Sequence, residues 1–461
     1  MKKKSISNSV IWQLSGKFAL QGIAFFTTPI FTRLLTPEDF GYTALYTSWL
    51  SIICLIIGLN VGASIGNARI KLGEDELPSY CSSIMSIALI SFFIVLLLFI
   101  FLGKWISEIL NLTQSLCILL VVHAFCYFIV NFEIGRLDSL KKVEKSTILS
   151  VSFTTSILIT SLLLVLRSES DRAQAKILGQ ALPTILFGLV IIILIYFRGK
   201  KLWTSSYSKY CLLLTLPLII HSVGHLIFAQ SDRIMLQRMI DDRTLGVYSV
   251  SQSLCAVLSI IYGALNVSWV PFYYDLKKQN NIEEIIIHSR RYLKFFTLIS
   301  VGFVMLAYDV FKLMAPPDYY EGMLLIPLFV ISHYFSFLYL FPVNHEFFNE
   351  KTKLIPVITF FAAFINIGIN WLLIPRMGLL GAAIGTLTSH FLLFLFHEIT
   401  ARYIVKKFEY KAYIYIPGTV VIIGATILAL LLKNLYIIRW IIAVLVALYM
   451  IRDMIRNHSI F

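Results

Sequence analysis

Lys17 stands among Gln13, Gly16, Gln21, Ala24 and Thr28, a spacing that gathers an ammonium, two amides and a hydroxyl along one helix face. Such a face can pair an anion that has left water and hold the hydroxyls of a polar ligand. A second group comes later, where His221, His225 and Asp232 follow Pro217, with Arg233 beside the carboxylate. Histidine and carboxylate can take up a proton or a small cation, which suits them to ion coupling. His221 and His225 also have the i, i+4 spacing of a helical metal pair. No HExxH glutamate and no third ligand accompanies them, so no metal site is expected. No catalytic residue and no cofactor is expected either.

The elements that position these groups are set by composition. Of 461 residues, 58% are hydrophobic and only 14% charged, and mean hydropathy is +0.82. Runs such as "IALISFFIVLLLFIFLG" need lipid as their solvent. The chain reads as an all-α polytopic membrane protein with about fourteen spans of roughly 20 residues. The first span follows only "MKKK" and is trailed by "TRLLTPEDFG", so it reads as a retained helix and not a cleaved signal. The 6 cysteines fall singly in or beside apolar runs and read as packing residues. The net charge of +14 would suggest nucleic acid in a soluble protein. Here the cations concentrate in alternate connections such as "RLDSLKKVEK", "RGKKLWTSSYSK" and "KKFEYK". The positive-inside rule then places both termini in the cytoplasm and excludes a nucleic-acid partner.

The chain also repeats. "TRLLTPEDFGYTALYTSW" and "QRMIDDRTLGVYSVSQSL" align without gaps, matching Arg33 with Arg238, Phe40 with Leu245 and Gly41 with Gly246. Later, Gly179 of "QAKILGQAL" falls on Gly385 of "LGAAIGTLT" at nearly the same offset. Two pseudo-symmetric six-helix lobes, 1–205 and 206–404, followed by an extra helix pair at 405–461, account for the chain. Arg33, Arg238, Asp241, Asp242 and Arg243 read first as outer chain reversals.

Polar faces recur on corresponding spans: Asn60, Ser64 and Asn67 on the second, Gln252, Ser259 and Asn266 on the eighth, and His333, Ser336 and Asn344 on the tenth. Asn366 and Asn370 mark the eleventh, and Thr386, His390 and His397 the twelfth. Each alone reads as an interhelical hydrogen bond. Their recurrence in both lobes is expected of two bundles facing a hydrated cavity.

"SDRIML" followed by "LGVYSVSQSL", with "TRLLTPEDFGYTALY" and "PRMGLLGAAIGTLTSH" in order, resembles the polysaccharide transporters of the MOP superfamily, the O-antigen, capsule and exopolysaccharide repeat-unit flippases. The resemblance implies a MATE-like fold in the bacterial cytoplasmic membrane. It implies alternating access for an undecaprenyl-diphosphate-linked oligosaccharide, coupled to H+ or Na+ or to the membrane potential, in concert with a polysaccharide polymerase machinery. Lys17, Arg33, Arg233 and Arg238 would then face the diphosphate, and Gln13, Gln21, Asn60, Asn67, Gln252, Asn266, Asn366 and Asn370 the sugars. Asp232, His221 and His225 would carry the coupling ion. Lys at 17 gives a point charge and no bidentate clamp. The alternative is a multidrug or organic-cation antiporter of the same superfamily, which calls for acidic residues deep in the first span, where none stands. A glycosyltransferase or polymerase would need a large outer loop with an acid, or a DxD site, and neither is present.

Overall fold

The computed structural model describes Trp12, Gly16, Leu20, Gly22, Ile23 and residues 25–457. These residues are almost wholly helical, and none of them lies in a strand. In chain order the helices are α1 (25–34), α2 (Pro37–Gly58), α3 (Ile65–Phe101), α4 (Gly103–Leu110), α5 (Gln114–Ser139), α6 (Val143–Arg167), α7 (Arg172–Gly199) and α8 (Ser205–Met239). They continue with α9 (Asp242–Lys278), α10 (Ile282–Met314), α11 (Ile326–Leu338), α12 (Leu340–Phe348), α13 (Leu354–Met377), α14 (Leu379–Ile399), α15 (Ile416–Leu431) and α16 (Tyr436–Asn457). Among the described residues 11 helices are long and apolar enough to cross a membrane, or 12 if α8 is one span. The chain is a multi-pass membrane protein, and large apolar side chains such as Leu186, Ile193 and Phe197 on α7 or Val420 and Ile427 on α15 stay exposed where lipid is the solvent.

The chain forms two compact units, Met1–Leu226 and Ile227–Phe461. In unit 1 the core is built from α2, α3, α5 and α7, with Tyr46, Ile57, Tyr80, Ile84, Leu120 and Ile177 buried. In unit 2 an aromatic stack of Trp269, Tyr292, Phe296, Phe337 and Phe341 ties α9, α10, α11 and α12 together.

The repeated turns are built alike. Thr36 caps α2 through a reciprocal box: its Oγ1 accepts from Asp39 N at 3.2 Å while Asp39 Oδ2 accepts from Thr36 N at 3.3 Å, with Pro37 at the first helical position. At the aligned position Asp241 caps α9, its Oδ1 accepting from Thr244 N at 2.7 Å. The matched glycines Gly179 and Gly385 both sit at close helix approaches. A methyl group at Gly179 would collide with the Ser161 backbone on α6, and one at Gly385 with the Asn370 side-chain oxygen on α13.

One expected polar face does not form. Asn60, Ser64 and Asn67 were to share the second span, but α2 ends at Gly58, and Leu59 and Asn60 both take left-handed backbone (φ 43° and 53°). Two such residues destroy the helical register. Ser64 is buried while Asn67 is exposed, so the three do not line one face.

Candidate functional site

α8 carries "QSDR" into unit 2, and there its carboxylate turns inward. Asp232 is 4% exposed. Its Oδ2 accepts from the Tyr248 hydroxyl of α9 at 2.9 Å and from Thr386 Oγ1 of α14 at 2.5 Å, and its Oδ1 accepts from Asn370 Nδ2 of α13 at 2.5 Å. The surrounding shell is also neutral and polar. Tyr248 and Thr386 hydroxyls lie 3.0 Å apart, Asn370 Nδ2 also donates to Asn366 Oδ1 at 3.1 Å, and Ser231 Oγ donates to the same oxygen at 2.7 Å. Burying a carboxylate costs on the order of several kcal/mol unless it is compensated. Here the compensation comes from three short bonds.

One atom of that shell is an orphan. Asn370 is fully buried and its Oδ1 has no hydrogen-bond partner, although buried amide oxygens are nearly always satisfied. That oxygen lies against Gly385, where only a glycine leaves it room. Asp232 thus presents one buried carboxylate inside a neutral polar shell of Tyr248, Asn366, Asn370 and Thr386, with Asn370 turning its Nδ2 toward the carboxylate and its Oδ1 toward Gly385. A buried carboxylate in such a shell is a group that can take up a proton or pair with a cation. Among the described residues no group of three or more His, Cys, Asp or Glu side chains could hold a metal ion.

Arg233, the neighbour of Asp232, turns to a different partner. Its Nε and Nη2 donate to Gln252 Oε1 of α9 at 3.1 and 2.7 Å, and the side chain is half-buried. Asn266 accepts from Asn344 Nδ2 at 2.8 Å, and Asn60 donates to Ser222 Oγ at 3.2 Å. Arg33 is exposed and donates to Pro29 O at 2.8 Å, and Arg238 is exposed at the end of α8. His225 is exposed on the same helix as the buried Asp232. Lys17, Gln13 and Gln21 lie outside the described residues, as does the side chain of His221.

Three clusters of ionisable side chains complete the picture, and of their members only His397 had been marked by its spacing in the sequence. Lys176 on α7 is buried and donates to Thr43 Oγ1 at 3.2 Å, with its ammonium 4.8 and 4.3 Å from the rings of Phe31 and Phe40. The ungapped repeat aligns Thr43 with Tyr248. The aligned residues thus contact a cation in unit 1 and an anion in unit 2, each charge carried by a helix that does not correspond to the other's in the repeat. Glu346 and His397 form a buried pair, the carboxylate Oε1 at 2.9 Å from His397 Nδ1. Lys277 pairs with Glu409 and donates to His345 Nδ1 at 2.8 Å, while His345 Nε2 donates to the Lys406 carbonyl at 2.9 Å. That arrangement makes His345 the neutral Nε2–H tautomer and fastens the segment after α14 to the ends of α9 and α12.

The family model described as "Polysaccharide biosynthesis protein" matches residues 6–276. "Lsg locus putative protein 1" of Haemophilus influenzae is 24% identical over 370 residues, covering 76% of this chain and 87% of the relative. A solved structure of the lipid II flippase MurJ in an inward closed conformation superimposes with a TM-score of 0.73 at 14% identity, over 97% of this chain and 99% of the other. An inward-facing multidrug resistance transporter of the MATE family, in the MOP superfamily, gives 0.66 at 14% identity, over 86% of this chain and 98% of the other. The two solved structures establish a shared MATE-like fold.

Proposed function

The chain belongs to the polysaccharide biosynthesis protein family, and we propose that it is a flippase that carries an undecaprenyl-diphosphate-linked oligosaccharide across the bacterial cytoplasmic membrane by alternating access. In this reading the two six-helix lobes of the sequence repeat, 1–205 and 206–404, would open alternately to the two faces. Both termini lie in the cytoplasm in this reading, because the cation-rich connections do. Lys17, Arg33, Arg233 and Arg238 pair with the diphosphate once it leaves water, where an uncompensated charge is costly. Amides and hydroxyls hold the sugars. The product would be O-antigen, capsule or exopolysaccharide, handed to a polymerase machinery on the far side.

The observation that carries the transport mechanism is Asp232 with its neutral oxygen shell. A cation that binds one conformation better than the other shifts the balance by its difference in affinity, and in this reading the buried carboxylate of Asp232 is the group that binds it. H+ or Na+ is the coupling ion in this reading.

A deletion strain tests the reading. It is expected to accumulate lipid-linked repeat units facing the cytoplasm, and normal surface glycan in a strain with no second flippase would overturn it. Lys17→Ala is expected to abolish translocation while the protein still inserts in the membrane. A multidrug antiporter would instead change drug susceptibility on overexpression, with glycan unaltered.

A further inference from the structure

Unit 1 carries a polar cavity of about 410 Å³ where α5 ends, α6 begins and α7 ends. Its charged lining is Glu74, Glu133, Arg136, Lys142, Lys145 and Arg198. Both carboxylates are already engaged. Glu133 takes the Arg136 guanidinium through two bonds of 2.6 and 2.7 Å with Arg198 at 3.8 Å, and Glu74 takes Arg69 Nε at 3.3 Å. Counting Arg69, five cations face two carboxylates, and the unmatched positive charge rests with Lys142, Lys145 and the outer side of Arg198. The Glu133 and Arg136 side chains are only 10% and 12% exposed, so the inner wall is rigid before anything binds. Leu77, Pro78, Leu137 and Leu140 add an apolar wall.

We infer that this cavity is a binding site for the phosphate headgroup of an anionic glycerophospholipid. Its volume falls in the range of small-molecule sites, about 300–1,000 Å³. Arginine and lysine around a preformed concavity give charge-assisted hydrogen bonds to phosphate oxygens at little ordering cost. Its depth also fits a headgroup, because the cations stand where three apolar helices stop. A cation that only sets topology needs no cavity and no buried partner, and Arg136 has both. The inference is independent of the transported substrate, so it can fail without touching the flippase reading.

The test uses the purified full-length chain in detergent, with lipid retention read by native mass spectrometry. Phosphatidylglycerol is expected to be retained and phosphatidylethanolamine not. The double variant Lys142→Ala/Lys145→Ala is expected to lose at least tenfold in phosphatidylglycerol affinity with its thermal midpoint unchanged, and Lys145→Glu alone to behave likewise. Lys200→Ala/Lys201→Ala, exposed cations outside the lining, is expected to bind as the parent does. Equal loss in that control would mean diffuse surface attraction and would overturn the site, as would equal retention of the two lipids or equal binding by parent and pocket variants. Inorganic pyrophosphate is expected to compete weakly. Pyrophosphate binding as tight as that of the lipid would overturn the lipid assignment in favour of a free anion.

Discussion

At the scale of the residue, Asp232 concentrates the chemistry of unit 2. Asp232→Asn keeps the shape and removes the charge, so it is expected to leave the amount of protein in the membrane unchanged while export of glycan falls tenfold or more. Export assays in a deletion strain carrying the variant check this, and full complementation would remove the coupling role. Tyr248→Phe and Thr386→Val each delete one bond to the carboxylate, worth about 1.5–3 kcal/mol for a charged acceptor, and are expected to lower the thermal midpoint. Lys176 in unit 1 makes the opposite case. A buried ammonium held by one hydroxyl and two rings is costly, and an apolar replacement of similar length is often neutral or stabilising by about 1–4 kcal/mol. Lys176→Met is expected to melt no lower than the parent, whereas Thr43→Val removes the hydrogen bond to the buried ammonium and should cost about 1–3 kcal/mol. "QSDR" stood out in the sequence as a charged stretch between apolar runs with no counterpart in the first lobe. What Asp232 and Arg233 face was not legible, since adjacent residues on a helix point about 100° apart and the sequence does not say which neighbour lies in each direction.

At the scale of the element, the repeat shows in matched caps and matched glycines. Thr36 and Asp241 differ in chemistry yet perform one task, and Gly179 and Gly385 each admit a neighbouring helix at close range. Gly179→Ala would drive a methyl group into backbone that cannot rotate away, so it is expected to cost about 1–3 kcal/mol. Gly263→Ala, on α9 with nothing within 4 Å of the added methyl, should be neutral or stabilising by up to about 1 kcal/mol. Thermal melts of the two variants in one detergent provide the comparison, and equal effects would refute the close-packing role of Gly179. The second span shows where periodicity misleads. Asn60, Ser64 and Asn67 keep helical spacing in sequence, but helical spacing places side chains only while the backbone stays helical, and Leu59 and Asn60 leave it.

At the scale of the whole molecule, the cation-rich connections fix an expected orientation. Single cysteines at Lys142 and at Ser170 are expected to react with a membrane-impermeant maleimide from opposite sides, Lys142 only after the membrane is opened. Five of the native cysteines are buried and Cys54 is half-buried, which keeps the background low. Labelling of both positions from one side would reverse the topology that underlies the proposed direction of transport. The fold class and the presence of many membrane-length helices were legible, because hydropathy is a local property read over about 20 consecutive residues, whereas the expected count of about fourteen stands beside 11 or 12 among the described residues.

The sequence by itself determined that this is an all-helical membrane protein with repeated turns, and it marked Asp232, Asn366, Asn370 and Thr386 as polar residues in apolar surroundings. Only the tertiary structure brought those four together from α8, α13 and α14, added Tyr248 from α9, and left an amide oxygen of Asn370 without a partner. The physical reason is range. A lone tyrosine or lysine in an apolar run carries no periodic signal, and its role is decided by side chains more than a hundred residues away that helix packing sets beside it.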